Sequence, residues 1–96
     1  MKFEVVILPK VSKKSKKYLS KSQLKKLSEL FKTLEFDPIP VERYDVKPVK
    51  GKRSEIGKGK LYRFRIGDYR VFYTILWSKK AVVVVNIKPR EKAYKK

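Results

Sequence analysis

The spacing of apolar positions changes several times along this chain, and each change marks an element. Phe3-Glu4-Val5-Val6-Ile7-Leu8 is a β-branched run that predicts a buried strand over residues 1–8, ended by Pro9. Val11, Tyr18 and Leu19 then recur at i, i+7 and i+8, one face of a short helix. Lys10, Lys13, Lys14, Lys16 and Lys17 form the other face. Ser20 and Gln23 have the spacing of a capping box. Leu24, Leu27, Leu30, Phe31 and Leu34 follow at helical spacing, predicting a second helix from about Lys21 to Glu35. The short break between the helices makes residues 9–35 a helical hairpin. Asp37-Pro38-Ile39-Pro40 stops it, since neither proline continues a helix.

From Val41 to Gly59 no period holds, and Pro48, Gly51, Gly57 and Gly59 punctuate the stretch. Residues 41–60 read as a basic loop, mobile from Lys50 to Lys60, with a possible short edge strand at Tyr44 to Val49. Strict alternation returns at Leu61 to Ile66, is broken by Gly67-Asp68, and resumes from Tyr69 to Trp77. Glycine first in a two-residue loop suits a type II′ turn, and such a turn fixes the register. Ile66 then faces Tyr69, Arg65 faces Arg70, Phe64 faces Val71 and Arg63 faces Phe72. Tyr62, Phe64, Ile66, Tyr69, Val71 and Tyr73 share one face, suited to a core beneath the helices. Arg63, Arg65 and Arg70 share the other with Leu61, Phe72 and Thr74. Ser78-Lys79-Lys80 is a further turn, and Ala81 to Ile87 is a β-branched run that reads as a central strand of unfixed register. Residues 61–88 are thus an antiparallel meander and 89–96 a basic tail. The pattern predicts one α+β domain over 1–96, in two layers: a helical hairpin packed on a largely antiparallel sheet, in the order β-α-α-β-β-β with a possible further strand.

Composition narrows the chemistry. Twenty-seven Lys and Arg against nine Asp and Glu give a net charge of +18. A compact chain with that charge repels itself, which points to a polyanionic partner. Without Cys there is no disulfide, thiolate or redox motif, and without His there is no imidazole base, Ser-His triad or His-ligated metal. The acids are scattered, with none of the clustered carboxylates a two-metal nuclease needs. No metal or small-molecule cofactor is expected. No apolar run approaches a membrane span and the first residues lack a signal-peptide pattern, so a cytoplasmic location without membrane association is expected.

Only six of the 27 cations are Arg, and three of those fall on one hairpin face. Like charges directly opposite, as at Arg65 and Arg70, cost stability. The face is either a solvated surface or a phosphate cradle, and the clustering of a scarce residue suited to bidentate phosphate contact favours the cradle. Lys13, Lys14 and Lys17 on the first helix, and Lys50, Lys52, Arg53, Lys58 and Lys60 in the loop, read as solvated charge or as non-specific attraction for RNA. Phe72, on the arginine face, is placed to stack a base or to fill a shallow groove. A nuclease built from these residues must work with Lys, Arg and Tyr; on RNA the substrate's own 2′-OH can be the nucleophile, leaving the protein to align and to stabilise charge.

Leu61-Tyr62-Arg63-Phe64-Arg65-Ile66-Gly67-Asp68-Tyr69-Arg70-Val71-Phe72-Tyr73, with Lys88-Pro89-Arg90-Glu91-Lys92-Ala93-Tyr94, resembles the RelE/ParE toxin superfamily, nearest to archaeal RelE-type members. The resemblance covers nearly the whole chain. It implies a RelE-like fold and an mRNA interferase: a ribosome-dependent endoribonuclease that cuts mRNA in the A site and inhibits translation. It also implies catalytic roles by position. Arg63 and Arg65 would hold the mRNA backbone or assist proton transfer. Arg70 would stabilise the transition-state phosphate, Arg90 would stabilise charge on the leaving side, and Tyr94 would stack on or orient the nucleotide. The implied partners are the ribosome and an acidic RelB-like antitoxin. Two other functions stay open: a ParE-like inhibitor of DNA gyrase, and a non-catalytic RNA- or ribosome-binding module.

Overall fold

A computed structural model describes residues 2–54, 56–57 and 59–90. In chain order it holds β1 (Glu4–Ile7), α1 (Pro9–Tyr18), α2 (Lys21–Leu34), β2 (Val46–Arg53), β3 (Lys60–Ile66), β4 (Tyr69–Leu76) and β5 (Ala81–Pro89). The strands form one sheet in the order β1-β5-β4-β3-β2. β1 runs parallel to β5, and the other three pairings are antiparallel. The expected α+β architecture is present, two helices on a mixed and largely antiparallel sheet.

The helices cover one sheet face, the inner one. Val11 of α1 and Leu27, Leu30 and Leu34 of α2 pack on Phe64, Ile66, Val71, Tyr73, Ile75, Val82, Val84 and Ile87. α2 starts where its capping box dictates. The Ser20 hydroxyl accepts from the Gln23 backbone N–H at 3.2 Å, and Gln23 Oε1 accepts from the Ser20 N–H at 3.0 Å. Tyr18 at the end of α1 stacks on Tyr69, rings 5.3 Å apart, which ties the helical hairpin to the start of β4.

The hairpin register is the one the Gly67-Asp68 turn predicts, from Ile66 opposite Tyr69 to Arg63 opposite Phe72. Gly67 has φ of +56° and Asp68 is not in the positive-φ region, as a type II′ turn requires. Tyr73 closes the core by donating its hydroxyl to the Pro38 carbonyl at 2.8 Å, which pins the Pro-rich stop after α2.

Three expectations are corrected. β1 is an edge strand with alternating exposure, because β5 pairs on only one side of it; it is not buried. The edge strand β2 runs to Arg53, so Lys50, Lys52 and Arg53 are strand residues and not part of a loop. The ladder skips between Pro48, opposite Tyr62, and Arg53, opposite Lys60, and Gly51 takes φ of +74° in between. A bulge of this kind tolerates both proline and glycine, which is why the sequence pattern hid the strand. β5 is central as expected but extends to Pro89, and it carries a bulge at Val85, between the pairs Tyr73–Val84 and Phe72–Asn86.

Candidate functional site

The outer sheet face is built from two cross-strand rows. One runs Lys47, Arg63, Phe72, Asn86 across β2, β3, β4 and β5; the next runs Arg65, Arg70, Lys88 across β3, β4 and β5. Residues directly opposite on one face of a sheet lie about 5 Å apart at Cβ. Three cations therefore sit side by side in one row, and in the other two adjacent cations lead up to an aromatic ring. No apolar packing explains that arrangement, and an anion laid across it relieves the repulsion.

The face is less solvated than its composition suggests. Arg70 is only 4% exposed. Its Nη1 donates to the Tyr69 carbonyl at 3.0 Å and toward the Gly67 carbonyl at 3.4 Å, so the side chain is folded over the turn and held in place. Arg63 lies 3.8 Å from the Asp45 carboxylate, an ion pair too long for a hydrogen bond. Its buried Nη1 has no hydrogen-bond partner among the described residues. Arg65 is exposed beside a cleft of about 390 Å³ shared with Lys26, Arg43, Tyr44 and Asp45. The backbone N–H of Arg90 donates to the Asp68 carbonyl at 2.6 Å, which brings Arg90 to the turn end of the same sheet.

Beside the rows lies a groove of about 520 Å³. Phe72, only 6% exposed, forms its floor with Leu61. Lys10, Lys50, Lys52, Arg53, Asn86 and Lys88 supply its polar wall. This volume is within the range of small-ligand sites. Thr74, on the same face of β4, is fully buried and donates to the Lys60 carbonyl at 2.9 Å.

The residues expected to bind RNA divide accordingly. Lys50, Lys52, Arg53 and Phe72 come together at the groove. Lys60 pairs opposite Arg53 but does not line it. Lys13 and Lys17 are exposed on α1, whereas Lys14 turns toward the sheet and donates to Asn86 Oδ1 at 3.3 Å. Lys58 and Tyr94 lie outside the described residues. The Val85 bulge shifts the parity of β5, so the sequence pattern alone does not place Asn86 and Lys88 on this face. A lone asparagine after four successive valines was the available signal of a change of face.

Burial, with smaller contributions from Tyr62 and Asp37, pushes the Tyr73 hydroxyl far above the ordinary tyrosine range, so this core tyrosine carries no proton in transit at neutral pH. Among the described residues, no three His, Cys, Asp or Glu side chains lie close enough to hold a metal. What the arrangement can do is grip a phosphodiester backbone and stabilise added negative charge on it.

The family profile for the ParE toxin of the parDE type II toxin–antitoxin system matches residues 9–94. A protein of Methanocaldococcus jannaschii that bears the provisional name toxin RelE1 is 43% identical over 95 residues, 99% of this chain and 98% of that one. The chain belongs to the RelE/ParE toxin family. The crystal structure of an archaeal RelE–RelB complex from Pyrococcus horikoshii OT3 matches this fold with a TM-score of 0.78 at 36% identity, over 94% of this chain and 97% of the other. In this RelE-type toxin of a toxin–antitoxin system, Arg63, Arg65 and Arg70 of the β3–β4 hairpin share the outer face of the sheet. No helix among the described residues is long and apolar enough to cross a membrane.

Proposed function

We propose that this toxin is a ribosome-dependent endoribonuclease that cleaves mRNA in the A site. The observation that supports it most is the juxtaposition of Arg63, Arg65 and Arg70 with Lys88 on one face, beside a groove with an aromatic floor. With no imidazole in the chain, the nucleophile is the substrate's 2′-OH. Its oxygen gives up its proton to solvent and bonds to the adjacent phosphorus, the P–O5′ bond breaks, and O5′ takes up a proton from solvent, giving a 2′,3′-cyclic phosphate and a 5′-hydroxyl. Arg63 and Arg65 hold the backbone. Arg70, locked over the turn, and Arg90, at the end of β5, stabilise the charge that gathers on the phosphoryl oxygens. Tyr94 orients the nucleotide. Slow chemistry of this kind needs the in-line geometry that the ribosome imposes on a codon, which places the protein's work in the cytoplasm.

An acidic RelB-like antitoxin would hold the toxin inactive. The +18 charge and the RelE–RelB assembly of the Pyrococcus horikoshii structure both support that partner.

Purified ribosomes translating a defined message test the reading. The wild-type protein is expected to leave new 3′ ends within A-site codons, and Arg90→Ala to lose about 100-fold of that activity, the usual loss for one charge-stabilising donor. Absence of A-site cuts, or equal cutting by the variant, overturns the nuclease assignment. The match to the ParE profile gives gyrase inhibition as the second reading, which a DNA supercoiling assay separates. A non-catalytic module predicts salt-sensitive RNA binding without products.

A further inference from the structure

Asn86 is the only asparagine in the chain, and it stands directly opposite Phe72 in the groove. Its Oδ1 accepts from two groups that can only donate: the Lys14 ammonium at 3.3 Å and the Ile87 backbone N–H at 2.9 Å. That pairing settles the orientation of the amide, because a flipped side chain would set its NH2 against two donors. The acceptor end is therefore engaged by two donors, which leaves the NH2 as the end that can meet a ligand in the groove Asn86 lines.

We propose that Asn86 is a base-reading residue, held by Lys14 and the Ile87 N–H as a donor-only group, that selects nucleobases with a keto oxygen at purine position 6 or pyrimidine position 4 over those with an amino group there. The inference rests on the RNA-cleaving reading of the same groove and names its substrate preference. Guanine and uracil carry an exocyclic oxygen where adenine and cytosine carry an NH2. A donor-only amide bonds the first pair and meets the second N–H to N–H. A freely rotating asparagine would serve either by turning over, so discrimination depends on the two donors that hold its Oδ1, Lys14 and the Ile87 N–H. Phe72 beneath gives the base an apolar surface to lie on, and Lys88, two residues along β5, is in reach of the adjoining phosphate.

Gln23 is the only glutamine, so a ¹⁵N-labelled sample gives two side-chain NH2 pairs, and the pair missing from Asn86→Asp is that of Asn86. The folded wild-type protein is titrated with the 3′-monophosphates of guanosine, uridine, adenosine and cytidine. The guanosine and uridine nucleotides are expected to shift the Asn86 pair and to bind roughly three- to tenfold more tightly than the other two, the discrimination worth one hydrogen bond. Lys14→Met, which removes one of the two donors on Oδ1, is expected to keep the fold and to weaken the preference. Equal affinity for all four nucleotides, an unmoved Asn86 pair while groove backbone signals shift, no groove response to any nucleotide, or a preference left undiminished by Lys14→Met overturns the proposal. Base preference in this titration without cleavage on ribosomes would leave the subsite standing and remove the nuclease reading; cleavage without base preference would do the reverse.

Discussion

Arg63 Nη1 is buried without a hydrogen-bond partner among the described residues, and Asp45 stands too far away to supply one. An unmade bond to a buried charged donor costs stability that an apolar side chain would not. Arg63→Met keeps the packed stem and removes the donor. The unfolding free energy of that variant in urea is expected to hold or to rise by up to about 1 kcal/mol, while RNA binding falls. A loss of stability instead would mean that the Arg63–Asp45 pair supports the fold. Tyr73 is the opposite case, a polar group spent wholly on structure. Its hydroxyl is bonded to Pro38 and kept neutral by burial. Tyr73→Phe should cost about 1 kcal/mol at neutral pH. The sign of its pH dependence follows from the raised folded-state value. An unfolded tyrosine ionises near about 10, so the Tyr73 contribution is complete below that pH and is lost as pH rises beyond it. Urea unfolding of the wild type should weaken with rising alkalinity, and the phenylalanine variant should show a flatter fall.

Elements whose boundaries depend on local chemistry were legible in the sequence. The Ser20–Gln23 box placed the start of α2, and Gly67-Asp68 placed every residue of the β3–β4 hairpin on its correct face. Elements whose limits depend on partners were not. β1 reads as buried from its valines and isoleucine, yet lies at an edge because nothing pairs beyond it. β2 and β5 carry bulges that break the alternation by which strands are read. The site split along the same line: Arg63, Arg65 and Arg70 came from the regular hairpin, while Asn86 and Lys88 were hidden behind the Val85 bulge. The turn itself is doubly constrained. Gly67 needs its positive φ, and a Cβ there would run into the Gln23 side chain that completes the α2 cap. Gly67→Ala is expected to destabilise by about 1–3 kcal/mol. A smaller loss in thermal or chemical unfolding would show that the turn and the cap can both relax.

Over the whole molecule the +18 charge divides between lysines on α1 and along β2, suited to attraction at a distance, and an arginine-led cluster fixed by the register of β3, β4 and β5. Each phosphate contact to single-stranded RNA adds about 0.7 to the slope of log affinity against log salt. Lys88→Met should therefore lower that slope by about 0.7 in fluorescence anisotropy on an unstructured RNA oligonucleotide. An unchanged slope would remove Lys88 from the phosphate-binding row. The central claim is that this cationic face cleaves RNA through the substrate's own 2′-OH. The direct measurement compares, on ribosomes paused at one codon, an all-ribose message with one carrying a single 2′-deoxynucleotide at the cut position. The account predicts that the ribose message is cut, leaving a 2′,3′-cyclic phosphate, and that the deoxy message stays whole. Cleavage of both messages, or of neither, would contradict it.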